Sequence, residues 1–229
     1  MEYLIVLIGC IITIAILYVV FEVNIKEIKK VGKNEKLDEL TKKFPENEEI
    51  CKDILKKLKN ENVKIEEDKN SNTTLYLVTS NKIFIADLKE SYTRIQTIAH
   101  ECLHSIQSKK LLWFNFIFSN IYLIYFYIIC ILAILKILPI GTTFLSILII
   151  FGLTYYAIRT YLENDAMIKA RFLAKEYMQE LKISSNEEID KIINKYDELN
   201  DVGIKLTNFQ FLSKVLIKTI VFTIILMIF

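Results

Sequence analysis

The chain has 229 residues, 53% hydrophobic and 24% charged, with two histidines, five glycines, two prolines and a formal net charge of +2. Few helix breakers and a mean hydropathy of +0.34 point to long apolar helices, whereas the 29 basic and 27 acidic side chains need water. Membrane spans alternating with charged lobes meet both demands and exclude a large multidomain enzyme, because the polar remainder builds only one modest core.

Interspersed Lys and Asp/Glu leave no basic block for nucleic acid, so none is expected as a partner. The cysteines Cys10, Cys51, Cys102 and Cys130 are dispersed, two of them inside apolar runs, and form no disulfide framework.

In chain order, residues 3–21 form an apolar run long enough to cross a bilayer, which takes about 20 residues, and longer than the roughly 7–15 of a signal-peptide core. They read as an uncleaved anchor. Lys26, Lys29, Lys30, Lys33 and Lys36 follow it, so the positive-inside rule places the N-terminus outside and the next segment in the cytoplasm.

Beyond Pro45, residues 48–58 put Ile50, Ile54, Leu55 and Leu58 on one stripe of a short amphipathic helix. Residues 63–65, 74–79 and 82–86 read as short strands, with Ser80-Asn81 as a tight turn between the last two. Asp87 followed by Glu90 resembles a capping box, and Ile95, Ile98, Ala99, Cys102, Leu103 and Ile106 predict a helix from about 88 to 108.

Apolar runs at 111–135 and about 144–158 are separated by Lys136 and the Leu138-Pro139-Ile140-Gly141 breaker, the pattern of a membrane hairpin. Lys109, Lys110 and Arg159 return both of its ends to the cytoplasm. A helix then runs to about 181. Ser185 to Glu188 signal the start of another, ending near 199. A last span, about 215–229, carries Lys218 close enough to its cytoplasmic end to snorkel.

The expected fold is a mainly α multi-pass membrane protein of about four transmembrane helices with a small α+β cytoplasmic lobe. Its expected divisions are an anchor (1–22), a cytoplasmic lobe (23–110), a transmembrane hairpin (111–158), a second cytoplasmic lobe (159–213) and a C-terminal span (214–229). The lipid bilayer is the first expected partner, and the cell membrane the expected location.

The predicted helix of the first lobe contains His100-Glu101-Cys102-Leu103-His104, an HExxH motif. Residues four apart lie one turn apart on the same face, so both imidazoles can bind one Zn²⁺ at about 2.0–2.1 Å. Glu101, about 100° further round, can reach a metal-bound water and act as general base. Two histidines fall four apart with Glu after the first in roughly one shuffle of this composition in a thousand. Ordinary histidines on a half-buried helix are the plain alternative.

A catalytic zinc site takes a third protein ligand and leaves a fourth position for water. Both histidines are used, so the third is Asp, Glu or Cys. Glu163 is the candidate, one turn beyond the third span as His104 lies two turns before the second; a solvated surface carboxylate explains its position equally well. Asp165 is a candidate to orient a histidine, with surface charge as its alternative. Tyr155, Tyr156, Arg159 and Tyr161 are candidates to stabilise an oxyanion, although aromatic residues at a membrane interface account for most of them. Cys102 turns away from His100 onto the apolar stripe and reads as a buried thiol. The strand 82–86 offers an edge that an extended substrate could pair with.

Residues 98–107, Ile-Ala-His-Glu-Cys-Leu-His-Ser-Ile-Gln, resemble the AHExxHAxQ helix of the YugP-type integral-membrane zinc metallopeptidases. Downstream, Glu163-Asn164-Asp165-Ala166 with Lys169-Ala170 resembles that family's E-x-N/D-A-x-x-R-A segment, and about residues 47–175 follow its order of elements. The resemblance implies a zincin-like fold, a zinc cofactor held by His100, His104 and Glu163, catalysis by Glu101, and a peptide or membrane-protein substrate. Ser105, Leu103 and Lys169 stand where the family commonly has Ala, Gly and Arg. A more distant likeness to the HtpX and CAAX-prenyl-protease group would require E-x-x-A-D, and Met167 breaks that pattern.

The function expected is therefore a membrane-embedded zinc endopeptidase that works through a metal-activated water. Glu101 and His104 also spell ExxH, but a di-iron carboxylate bundle needs a second such pair. A non-catalytic membrane scaffold is the alternative outside enzymology.

Overall fold

The computed structural model describes residues 1–24, 32, 34–68, 71, 73–87 and 91–229. Lys26, Lys29, Lys30 and Lys33, which set the expected orientation, lie outside the described residues, as does Glu90 of the expected capping box. The described elements are helices α1 (Glu2–Val20), α2 (Glu35–Thr41) and α3 (Asn47–Lys57); strands β1 (Lys64–Asp68), β2 (Leu75–Leu77) and β3 (Lys82–Ala86); then helices α4 (Arg94–Ile106), α5 (Lys109–Ile134), α6 (Gly141–Leu181) and α7 (Asn186–Ile228). The protein is mostly helical with one small sheet, and α1, α5, α6 and α7 are long and apolar enough to cross a membrane. Two compact units result, an apolar one (1–23, 114–161, 205–229) and a polar one (24–113, 162–204).

In the apolar unit, Tyr122, Ile129, Leu145, Leu148 and Phe222 form a buried core, whereas Ile11, Ile12, Ile16, Phe116, Ile117, Ile121, Ile150 and Leu153 are exposed. Apolar surface on this scale exceeds what a water-facing monomer shows. Three threonines here bond within their own helix: Thr13 donates to the Gly9 carbonyl at 2.7 Å, Thr154 to Ile150 at 2.9 Å and Thr223 to Thr219 at 2.7 Å. Such back-bonding satisfies polar groups where water is absent. Gly152 permits a close helix crossing, because a Cβ there would lie 2.3 Å from Val215 Cγ1 and 2.9 Å from the Tyr122 hydroxyl. Lys218 places Nζ 4.0 Å from the Tyr122 ring centroid, a cation–π contact.

The polar unit's core joins Ile50, Ile54 and Leu55 of α3, Ile83 and Ile85 of β3, and Ile95, Ile98 and Cys102 of α4. Ala166, Ala170 and Ala174 of α6 and Ile189 and Ile192 of α7 complete it. The stripe read from the sequence on α3 is its buried face, with Leu58 half-buried against the core. The α7 start is a reciprocal capping box, in which Glu188 N donates to Ser185 Oγ at 3.3 Å and Ser185 N to Glu188 Oε2 at 3.1 Å. Asn81 takes φ 48° in the turn before β3, a conformation that asparagine tolerates better than most residues.

Four expectations are corrected. Helix α2 replaces a featureless Lys-rich stretch; the Asn34 side chain accepts from Leu37 N at 3.2 Å and so starts it. Helix α4 begins at Arg94, since residues 92–93 are turn; the expected start near 88 lies outside the described residues. The helix expected to end near 199 and the last span are one helix, α7, of 43 residues. Gly203 interrupts only propensity, and a Cβ there would approach Met167 Cε to 3.2 Å. Finally, the sheet order is β1-β3-β2, with β1 parallel and β2 antiparallel to β3. Strand β3 is therefore central and has no edge to offer a substrate.

Arg94 opens α4 and is 2% exposed. Its guanidinium donates to the carbonyls of Thr41 (2.7 Å), Phe44 (2.8 Å) and Pro45 (2.8 Å) and to Asn47 Oδ1 (2.9 Å). Arg94→Met should lower the unfolding free energy by about 3 kcal/mol or more, since four buried acceptors lose one charged donor. Arg94→Lys should not restore it, because a single ammonium lacks the planar fork. Denaturant unfolding of the purified variants measures both.

Candidate metal centre

Within the polar unit, α4 presents His100 and His104 on one face, and the turn of α6 that begins at Leu162 presents Glu163. The two imidazole Nε2 atoms stand 3.0 Å apart, and Glu163 Oε2 lies 3.4 Å from that of His100 and 3.5 Å from that of His104. The rings meet at 90°, so the nitrogens converge while the ring bodies diverge. These side chains are between 11% and 16% exposed, enclosed yet reachable. Among the described residues, His100, His104 and Glu163 form a group able to hold a metal ion.

Glu101 is not part of that triangle. Its Oε2 accepts from the backbone N–H of Tyr76 in β2 at 2.6 Å, and its Oε1 lies 3.9 Å from His100 Nε2. Burial pushes the Glu101 carboxyl above the ordinary carboxylate range, against the opposing pull of both histidines and the Tyr76 N–H. Burial alone would lower His104, but its hydrogen bond with Glu163, the charges of Glu101 and Glu163, and Gln107 outweigh it and leave the imidazole raised.

Two residues without an assigned role in the sequence prove to be structural partners of this group. Tyr76 holds the Glu101 carboxylate through its main chain, which no side-chain motif announces. Gln107, three residues after His104, takes Nδ1 of that ring on its Oε1 at 2.9 Å; the i, i+3 spacing was the available signal. Asp165, expected to orient a histidine directly, reaches His104 only through Gln107, whose Nε2 donates to Asp165 Oδ2 at 3.1 Å and to the Leu162 carbonyl at 2.8 Å. Lys169 pairs with Asp165 Oδ1 at 2.5 Å, so lysine supplies a salt bridge where the resembling segment has arginine. Burial would raise Asp165, but its bonds to Lys169 and Gln107 dominate and hold it below the usual range.

Cys102 is fully buried, its Sγ 3.7 Å from that of Cys51, and it stays apart from the cluster as expected. Tyr155, Tyr156, Arg159 and Tyr161 belong to the apolar unit. There, Arg159 lies over the Phe211 ring and Tyr155 meets the same ring edge-on.

Because Glu101 is raised in the fold, its protonated form stabilises the native state below the unfolded carboxyl pKa of about 4.3, and that contribution is lost as pH rises through the folded value. Glu101→Gln, neutral at every pH, should therefore raise the Tm of chelator-treated protein at neutral pH, with the gain shrinking as acidification crosses the folded value and gone below the unfolded value of about 4.3. Thermal unfolding across pH measures this. Comparison with protein families, with curated proteins and with solved structures returns no match.

Proposed function

We propose that this protein is a membrane-embedded zinc endopeptidase of the kind its HExxH and Glu163 segments resemble, with the polar unit on the cytoplasmic side of the cell membrane. The observation that carries the reading is the triangle of ligand atoms. Four-coordinate zinc with bonds of about 2.0–2.1 Å keeps neighbouring ligand atoms roughly 3.3–3.4 Å apart, and the three edges here are 3.0, 3.4 and 3.5 Å. Two imidazole nitrogens and one carboxylate oxygen make up the donor set of a catalytic zinc site that leaves one position open.

When bound, zinc polarises the scissile carbonyl and makes water acidic enough to attack near neutral pH. His100, His104 and Glu163 hold it. Glu101 is oriented by the Tyr76 N–H on Oε2, leaving Oε1 to take a proton from the attacking water. As the water oxygen bonds to the carbonyl carbon and the peptide C–N bond breaks, Glu101 returns that proton to the leaving nitrogen.

Membrane insertion is supported by four apolar helices, exposed apolar side chains and internally bonded hydroxyls. Lys36, Lys109, Lys110 and Arg159 support the orientation.

Two experiments test this reading. Purified full-length protein should carry one zinc per chain, lost in His100→Ala and in Glu163→Ala. Glu101→Gln should keep the metal but lose about 10²–10⁴-fold in hydrolysis of an unfolded peptide. Protein without metal, and hydrolysis indifferent to chelator, would reject the peptidase in favour of a membrane scaffold. For orientation, the native cysteines Cys10, Cys51, Cys102 and Cys130 are buried, so single cysteines at exposed Asn62 and Asp201 report cleanly. An impermeant thiol reagent should label both in inverted vesicles and neither in intact cells; labelling from outside overturns the orientation.

A further inference from the structure

We infer that Gln107 is a positioning residue for the metal centre: it sets the tautomer of His104 so that a bare Nε2 faces the other two ligand atoms, and it ties that histidine to the turn carrying Glu163. This inference rests on the metal-site reading above.

The amide of Gln107 can face only one way. Its Nε2 lies 2.8 Å from the Leu162 carbonyl oxygen and 3.1 Å from Asp165 Oδ2. A carbonyl can only accept, which alone fixes the amide, and Asp165, paired with Lys169 through Oδ1 at 2.5 Å, lies on the same side. Turning the amide over would set its oxygen against two acceptors. The atom 2.9 Å from His104 Nδ1 is therefore Oε1, which cannot donate.

The consequence passes through the ring. With an acceptor at Nδ1, that nitrogen carries the hydrogen, and a neutral imidazole has only one. Nε2 then presents its lone pair to the point shared with His100 Nε2 and Glu163 Oε2. In the opposite tautomer an N–H would occupy that direction, and the ring would have to shift its proton before ligating. Ligating histidines commonly have such a partner at the far nitrogen. Here the partner is neutral and is itself aligned by a carboxylate and a lysine.

The same side chain fixes a second coordinate. Leu162 and Asp165 flank Glu163 on α6, while Gln107 is the residue that closes α4, its backbone N–H donating to the His104 carbonyl at 3.2 Å. The amide thus sets the register of one ligand-bearing helix against the other, and Lys169→Asp165→Gln107→His104 is one chain of polar contacts.

The test uses full-length protein with histidine-selective ¹⁵N labelling. The chain has two histidines, so two imidazoles are observed, and His100→Ala leaves His104 alone. In chelator-treated protein at about pH 9, above the ordinary histidine range, His104 should be the Nδ1–H tautomer. Gln107→Leu should shift it toward Nε2–H and weaken Co²⁺ binding, followed by the visible spectrum, by about 10–100-fold. Gln107→Met, which keeps the length of the side chain but removes both its acceptor and its donor, should shift the tautomer in the same direction as Gln107→Leu.

An Nε2–H tautomer in the unsubstituted protein, or an unchanged tautomer and Co²⁺ affinity in Gln107→Leu, overturns the inference. A Gln107→Leu protein that fails to fold leaves the tautomer of the unsubstituted chain and of Gln107→Met to decide. None of these readouts requires a peptide to be cut. Zinc-loaded protein with the expected tautomer but no hydrolysis would count against the peptidase and not against Gln107.

Discussion

The polar unit depends on holding a carboxylate from one helix within 3.5 Å of two imidazoles from another. An enclosed carboxylate with no compensating charge or hydrogen bond is costly, so Glu163 is an asset to the fold only while α4 and α6 keep their register. Small residues help to make that register possible. Ala166, Ala170 and Ala174, four apart and fully buried, let α6 enter the core that α3, β3 and α4 build, with Glu163 at the start of the buried stretch. Polar contacts then complete what packing begins. Three residues of one α6 turn, Leu162, Glu163 and Asp165, each contact the C-terminal half of α4 through a different acceptor.

The small sheet contributes by what its backbone leaves over. Antiparallel pairing alternates main-chain groups between partner and open edge, and in β2 the N–H of Tyr76 faces away from β3 and meets Glu101. The Glu101 carboxylate is thereby aligned through the main chain, and no substitution at Tyr76 other than proline removes that donor. Its two oxygens acquire separate duties, one anchored to the strand and the other turned toward His100. A side chain on the helix surface alone would lack this distinction, because its carboxylate would be free to rotate.

How much of this was readable in advance follows the range of the interaction. His100, Glu101 and His104 are set by spacing within one helix, and their grouping was evident from residue identity alone. Glu163 could be chosen by position and resemblance, since its distance along the chain from the apolar run mirrors that of His104. The sheet order was not readable, because alternation marks a strand without naming its neighbours; β3 looked like an edge and is the centre. The unbroken α7 was equally hidden. A polar stretch followed by an apolar one reads as two elements, and only packing around Gly203 shows that the backbone continues. The Tyr76 N–H meets Glu101 across 25 residues and the Gln107 amide meets the Leu162 carbonyl across 55, which local pattern does not encode; the contact of Gln107 with His104 at i, i+3 is the local part of its role.

The Arg94 clasp bears on the order in which the chain acquires structure. Its four acceptors lie 47 to 53 residues earlier in the chain, in the turn between α2 and α3, where Phe44 N to the Thr41 carbonyl at 3.1 Å is a local bond. The carbonyls of Thr41, Phe44 and Pro45 thus receive their charged donor only after α4 has formed and docked, and the closure entropy of that long loop is met at the same step. Amide protection in this turn would then report indirectly on the helix that carries the histidines. A turn 47 or more residues away thus becomes a gauge of whether the helix that carries both histidines is in place.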